Sequence, residues 1–150
     1  MHLTTRGRYA VMAMIDLAEL QRAKGGRVPI TLAEIAERQD ISLSYLEQLF
    51  ARLRRAGVVK SVRGPGGGYI LARPVEKICL GDVIRAVDEQ VSITRCGHAQ
   101  QKNQAEAGCL RGRRCNAHQL WAALSQHIEG FMERVHLGMV LNDEVTPDFS

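Results

Sequence analysis

The run Gly64-Pro65-Gly66-Gly67-Gly68 constrains this chain more than any other stretch. Four glycines and a proline in five places cannot sit inside a helix or a central strand, so they form a loop. Before it, Val58-Val59-Lys60-Ser61-Val62-Arg63 alternates well enough to be a strand, and Tyr69-Ile70-Leu71-Ala72 is the return strand. The stretch reads as a β-hairpin. A glycine-rich loop after a strand also raises phosphate cradling, but no Lys-Ser/Thr follows it and no helix opens after it, so a nucleotide site is not expected.

Two short helices precede the hairpin. Thr31, with Glu34 three residues on, makes a capping box that starts a helix ending near Arg38-Gln39-Asp40. Ser42 caps the next, in which Leu46, Leu49, Phe50 and Leu53 follow the i, i+3, i+4, i+7 rule and Gly57 supplies the left-handed stop. Two short helices and a tight turn read as helix-turn-helix, and a hairpin directly after them makes a winged helix. Ahead of them, about Thr5 to Arg22 forms a helix that is apolar nearly all round, through Tyr9, Val11, Met12, Met14, Ile15, Leu17, Ala18 and Leu20. Such a helix needs cover on several sides.

Beyond Pro74, Leu80 to Glu89 reads as a short helix with Val83, Ile84 and Val87 on one face. Asn116 to about Leu141 reads as one long amphipathic helix, in which Trp121, Leu124, Ile128, Phe131 and Val135 alternate at spacings of three and four, as in a coiled-coil seam. That stripe predicts a homodimer interface; the alternative is a helix lying on its own subunit's core. The apolar first helix favours the dimer, because a chain of 150 residues offers little surface to bury both. The expected fold class is mostly α with a small β-hairpin wing, a winged helix-turn-helix plus a long dimerisation helix. It divides into a DNA-binding part over 1–74 that includes the N-terminal helix, a part over 75–141 with short helix, cysteine-bearing loop and dimerisation helix, and an acidic, Pro-broken tail over 142–150.

Charge follows the same division. Residues 1–74 carry 12 Lys and Arg against 6 Asp and Glu, whereas 75–150 carry 8 against 10, so the basic half is the expected partner of double-stranded operator DNA. On the third helix, Ser44, Gln48, Ala51 and Arg55 point away from the apolar face, with Tyr45, Glu47 and Arg52 on its flanks. Gln bonds adenine bidentately, Ser bonds either base type, and Arg reaches guanine or phosphate. Arg52, Arg54 and Arg55 lie towards the C-terminal end, where backbone anchoring is expected. Glu47 accepts from cytosine but repels phosphate, and so penalises wrong sequences. Arg63, at the hairpin tip, suits a narrow A·T-rich minor groove.

Met1 to Leu20 has early arginines and then apolar residues, but Asp16 and Glu19 interrupt the run and no small-residue cleavage site follows. No stretch approaches the roughly 20 apolar residues of a membrane span. A cytoplasmic protein is expected, with no membrane partner and with its ordinary thiols reduced. Three of its four cysteines, Cys96, Cys109 and Cys115, fall in one polar basic stretch closed by His118. In a reducing compartment that clustering points to metal, and three thiolates with one imidazole suit a [2Fe-2S] centre and structural zinc equally. Cys79, with no cysteine or histidine close in sequence, reads as a small buried residue. No C-x-x-C pair and no nucleophile–base–acid set appear, so an enzyme is not expected.

The stretches Leu3 to Ala18, Ile41 to Ala72, Val83 to Glu89 and the cysteine pattern ending in C-x2-H resemble the IscR family, winged-helix regulators that carry a [2Fe-2S] cluster and control genes for iron-sulfur cluster assembly. The likeness runs from Met1 to about Leu141. It implies that Ser44, Tyr45, Glu47, Gln48 and Arg63 fall on DNA-contacting positions and that Cys96, Cys109, Cys115 and His118 are cluster ligands. It also implies repression by the loaded form, a second class of site for the empty form, and iron-sulfur assembly machinery as the cluster donor. The missing C-x2-4-C knuckle weighs against zinc, and the resemblance favours iron-sulfur. Arg6, Arg95, Arg111, Arg113 and Arg114 flank the ligands and favour thiolate. The spacing departs from the family's: twelve residues separate Cys96 from Cys109, but only five separate Cys109 from Cys115. Closing the longer loop costs about 0.8 kcal/mol more. The insertion brings His98, a competing ligand or a solvated loop histidine. Related nitric-oxide sensors use a carboxylate near the N-terminus, where Arg8 stands here.

Overall fold

The computed structural model describes residues 3–89 and 115–147. The elements are α1 (Thr5–Ala23), α2 (Leu32–Gln39), α3 (Leu43–Arg55), β1 (Val59–Val62), β2 (Gly68–Leu71), a 3-10 turn (Val75–Lys77), α4 (Leu80–Ala86), α5 (His118–Arg134) and α6 (Leu137–Leu141). Each cap expected in the helix-turn-helix is present. Thr31 Oγ1 accepts from the Glu34 N–H, and Ser42 Oγ accepts from the Tyr45 N–H at 3.2 Å. The other half of the capping box does not form, because the Glu34 carboxylate is taken by Lys24 Nζ at 2.9 Å. After α3, Gly57 has φ +77°. Its N–H donates to the Arg54 carbonyl and that of Val58 to the Leu53 carbonyl, the paired bonds of a Schellman turn, with Leu53 and Val58 both buried.

The hairpin is antiparallel, with Val59 opposite Leu71 and Val62 opposite Gly68. It gains a third member that the sequence pattern did not announce. Ile30 and Tyr69 exchange both backbone hydrogen bonds, at 2.9 and 2.8 Å, so the approach to α2 pairs with β2. Gly68 is needed there, because a Cβ would strike the Ile30 carbonyl. Tyr69 then sets its ring edge-on to Phe50 of α3, 5.0 Å between centroids, and fixes the root of the wing to the helix-turn-helix.

The core gathers around α1. Ala10, Ala13, Met14 and Leu17 are fully buried with Ile35, Leu46, Phe50, Leu53, Ile78, Val83, Val87 and Leu137. Residues beyond Pro74 therefore share one core with the helix-turn-helix. Cover for the buried face of α1 comes from its own chain, while Tyr9, Val11, Met12 and Ile15 remain half-buried.

Two polar groups lie buried on α1, where the sequence pattern showed only an apolar helix. Asp16, 1% exposed, takes a forked hydrogen bond from Arg38 of α2, at 2.8 to 3.1 Å. Gln21 accepts from the Leu71 N–H at 3.0 Å and donates to the Val28 carbonyl. Between them they hold α2 and the wing to one helix.

The single long helix expected from Asn116 to Leu141 is a correction: it is two helices. Val135 is extended, with φ −81° and ψ 115°, and buried rather than part of the stripe. The Leu80 N–H donates to the Val135 carbonyl and the Leu137 N–H to the Ile78 carbonyl, so Cys79 and His136 face each other across an isolated antiparallel bridge. Those bonds replace helical ones and end α5. His136 Nδ1 then accepts from the Met139 N–H and caps α6. Helix α4 is also shorter than expected, stopping at Ala86. Among the described residues no helix is long and apolar enough to cross a membrane.

Candidate nucleic-acid and metal-ligand sites

Helix α3 buries Leu46, Leu49, Phe50 and Leu53 and leaves Ser44, Gln48 and Arg55 exposed, as the wheel predicted; Ala51, expected with them, is half-buried, and Glu47 on the flank is exposed. Arg63, just past β1 on the hairpin loop, is exposed too. Tyr45 is half-buried and stands edge-on to Tyr9 of α1, 6.0 Å between centroids, so its ring is held in place while α3's first turn stays open. Arg54 reaches back to Ser61 Oγ at 3.5 Å. Arg52 is engaged: its guanidinium meets the Asp88 carboxylate beyond α4.

Asp88 and Glu89 form a junction that the sequence reading missed. Glu89, 6% exposed, accepts from the Thr4 N–H at 2.9 Å and from Thr4 Oγ1, and lies 3.9 Å from Arg6 Nε. Burial alone would push this carboxyl up. The Thr4 bonds, Arg6 and the Gly7 N–H outweigh it and hold Glu89 below its ordinary range. Arg6 Nη2 donates to the Asp88 carbonyl at 2.9 Å. The charge of Arg6, expected to flank thiolates, is therefore met by Glu89. Thr4 Oγ1 also accepts from the Gly7 N–H as the N-cap of α1, so one buried carboxylate ties the start of α1 to the end of the α4 segment.

Of the expected cluster ligands, Cys96 and Cys109 lie outside the described residues, as do His98, Arg95, Arg111, Arg113 and Arg114. Cys115 and His118 are described. Cys115 is half-buried just before α5, and its carbonyl accepts from the His118 N–H at 3.0 Å, which puts both residues at the start of that helix. His118 Nδ1 is buried without a hydrogen-bond partner among the described residues. An unmet buried nitrogen of this kind costs about 1–3 kcal/mol. The observation fits an imidazole whose lone pair serves a metal.

Cys79 corrects its expectation. It is partly exposed and caps α4: its Sγ accepts from the Asp82 N–H while Asp82 accepts from the Cys79 N–H at 3.2 Å. Sγ also lies 3.5 Å from Glu133 of α5, which is paired with Arg85. Burial pushes the thiol up, and the Asp82 and Glu133 carboxylates add to it, so it stays protonated. The cluster around Cys79 ties α4 to α5. A cavity of about 530 Å³ lies between α1, the exit of β2 and α6, and its Arg22, Arg27 and Arg73 are already spent on Asn142, Leu71 and Asp82.

Residues 3–143 match the Rrf2 family, described as an iron-dependent transcriptional regulator. The chain belongs to the Rrf2 family. It is 50% identical over all 150 residues to the HTH-type transcriptional regulator IscR of Klebsiella pneumoniae (strain 342), covering 85% of that protein, and equally to that of Escherichia coli O1:K1 / APEC, covering 86%. Among solved structures it is similar to T. potens IscR, with TM-score 0.72 and 35% identity over 99% of this chain and 95% of that one. It is similar too to CymR, the global cysteine regulator of B. subtilis, with TM-score 0.75 and 30% identity over 95% and 98%. As an Rrf2 protein the chain is a winged-helix transcriptional regulator and not an enzyme.

Proposed function

We propose that this Rrf2 protein is a homodimeric, cytoplasmic regulator, mainly a repressor, that binds operator DNA through α3 and the hairpin and reports iron-sulfur supply through a [2Fe-2S] cluster. Cys96, Cys109, Cys115 and His118 would hold the cluster. The observation that carries the reading is the orphaned His118 Nδ1, on a residue whose backbone N–H bonds the Cys115 carbonyl. The names of the relatives, IscR in two bacteria at half identity, support the same class. When bound, the cluster supplies a redox-active and removable cross-link, and an imidazole ligand makes its retention depend on pH. Iron-sulfur assembly machinery is the proposed donor and the genes of cluster assembly the proposed targets.

The chain's own residues do the rest. Ser44, Glu47 and Gln48 present hydrogen-bonding groups to base edges, Tyr45 is braced by Tyr9, and Arg55 and Arg63 supply positive charge for phosphate and groove. The two ends of the candidate ligand stretch are rooted differently. One follows Glu89 and Asp88, bonded to α1 and α3; the other runs into α5, whose apolar stripe is the proposed dimer seam. Drawing the four ligands together therefore pulls on both the DNA-facing body and the dimer helix.

Anaerobic purification followed by iron, sulfide, zinc and visible-absorbance measurement tests the cofactor, and gel shifts with matched loaded and empty protein on the same operators test the coupling. Iron and sulfide in a 1:1 ratio, with operator-dependent differences between the two forms, are expected. Colourless zinc protein would make the metal a structural staple, and equal affinities on every operator would remove the sensing role. Cys109→Ala is expected to bleach the protein while leaving it folded.

A further inference from the structure

Asp88 is placed where local physics does not want it. Helix α4 ends in a Schellman turn: the Asp88 N–H donates to the Arg85 carbonyl and the Glu89 N–H to the Ile84 carbonyl, with Asp88 at φ +54°. That left-handed position is one glycine fills without strain. A carboxylate there also faces the negative end of the helix dipole. Gly57 fills the same position after α3, while Asp40 and Asp143 share the left-handed geometry, so what sets Asp88 apart is the partner its carboxylate finds. Asp88 contributes nothing to the core either, being 77% exposed at its side chain. What its carboxylate does reach is Arg52 Nη1 of α3, at 2.5 Å. A residue that breaks two local rules and spends its charge on the neighbouring helix points to function.

We infer that Asp88 is a positioning residue of the DNA-facing surface: it holds the Arg52 guanidinium away from the phosphate backbone, so operator binding must open or share that ion pair. This rests on the reading of α3 as the DNA-facing helix. Among the described residues, the other charged groups at the pair are Arg6, bonded to the Asp88 carbonyl, and Glu89, which neutralises Arg6. Arg52 is therefore the cation that the Asp88 carboxylate governs. An exposed pair is weak, so a phosphate can displace it; the restraint tunes affinity rather than forbidding binding.

The test compares wild type, Asp88→Asn, Asp88→Gly, Arg52→Ala and the Asp88→Asn/Arg52→Ala double variant on a random-sequence duplex across a salt series. Releasing Arg52 should steepen the dependence of log affinity on log salt by about one phosphate contact. Affinity at moderate salt should rise about two- to five-fold. In the Arg52→Ala background the Asp88 change should do neither. Asp88→Gly, which relieves both local penalties, should melt no lower than wild type. Unchanged slopes, or a gain that persists without Arg52, would overturn the inference, the latter by showing a bulk charge effect. A lower melting temperature for Asp88→Gly, with an unchanged slope, would make the pair a mere tie between helices. A chain that binds no duplex at any salt overturns the reading of α3 itself, a result distinct from binding with unaltered slopes.

Discussion

Helices α3 and α5 are both amphipathic, and both carry apolar residues at alternating spacings of three and four. In α3 every one of those residues is buried, and its first and last turns are closed by Ser42 and Gly57. In α5 Trp121, Leu124, Ile128 and Phe131 are only half-buried, Leu120 is 61% exposed, and the one buried residue is Ser125, whose Oγ has no partner among the described residues. His118 Nδ1 at its start is likewise unmet. The same kind of pattern is completed within the chain in one case and left open in the other. A helix whose apolar face and polar atoms are both unfinished is what the proposed dimer seam and the proposed ligand set at its start would complete.

The largest effect expected from this contrast is in the finished helix. Phe50→Ala removes a fully buried ring packed on Tyr69 and should cost about 3–5 kcal/mol of unfolding free energy. Chemical denaturation would check it, and a cost below about 1 kcal/mol would mean that α3 is not anchored as described. In the unfinished helix the expected loss is in assembly instead. Ile128→Ala should weaken self-association by about 2 kcal/mol or more if the residue is central to the seam. Analytical ultracentrifugation should show dissociation at concentrations where wild type is dimeric, with the helical circular dichroism retained. A monomeric wild type would return the stripe to its own subunit.

How much of this was legible without coordinates follows the range of the forces. Thr31, Ser42 and Gly57 act within four residues of themselves, so their caps could be read directly from the sequence. The end of α5 could not, because periodicity runs on through Val135 while the bonds that break the helix come from Ile78 and Leu80, some 55 residues earlier in the chain. Asp16 with Arg38, and Thr4 with Glu89, were hidden for the same reason: their partners stand 22 and 85 residues away. Asp88 left a faint trace, an acid where a short helix ends. Of the candidate ligands, Cys115 and His118 are placed at α5's start, and Cys96 and Cys109 fall outside the described residues.

Glu89 extends the comparison to polar groups: its carboxylate is engaged by Thr4, whereas His118 Nδ1 and Ser125 Oγ on α5 have no partner among the described residues. Glu89→Gln should lower stability by about 1.5–3 kcal/mol at neutral pH, through loss of charge-assisted bonds to Thr4 and Arg6. Because the folded carboxyl sits below its ordinary value of 4.5, its contribution is complete above that pH and is lost as pH falls through the lower folded value. The variant should therefore show a flatter acid limb, read as melting temperature against pH. An unchanged limb would mean that Glu89 is not the group whose protonation loosens the start of α1.

The smallest expected effect separates the two helices at their first turns. Ser42 has extended backbone, φ −60° and ψ 138°, and its hydroxyl accepts from Tyr45, so Ser42→Ala should cost about 1 kcal/mol. The corresponding residue of α5, Ala117, has φ −93° and ψ 5° and offers no side-chain acceptor. Because a capping hydroxyl needs the extended geometry to reach back to the third residue, Ala117→Ser should recover only a few tenths of that amount. Thermal melts of both variants decide the matter. A gain at Ala117 as large as the loss at Ser42 would show that α5 merely lacks an ordinary cap. A gain of a few tenths or less would tie the difference between the two first turns to the backbone of Ala117 rather than to its missing hydroxyl.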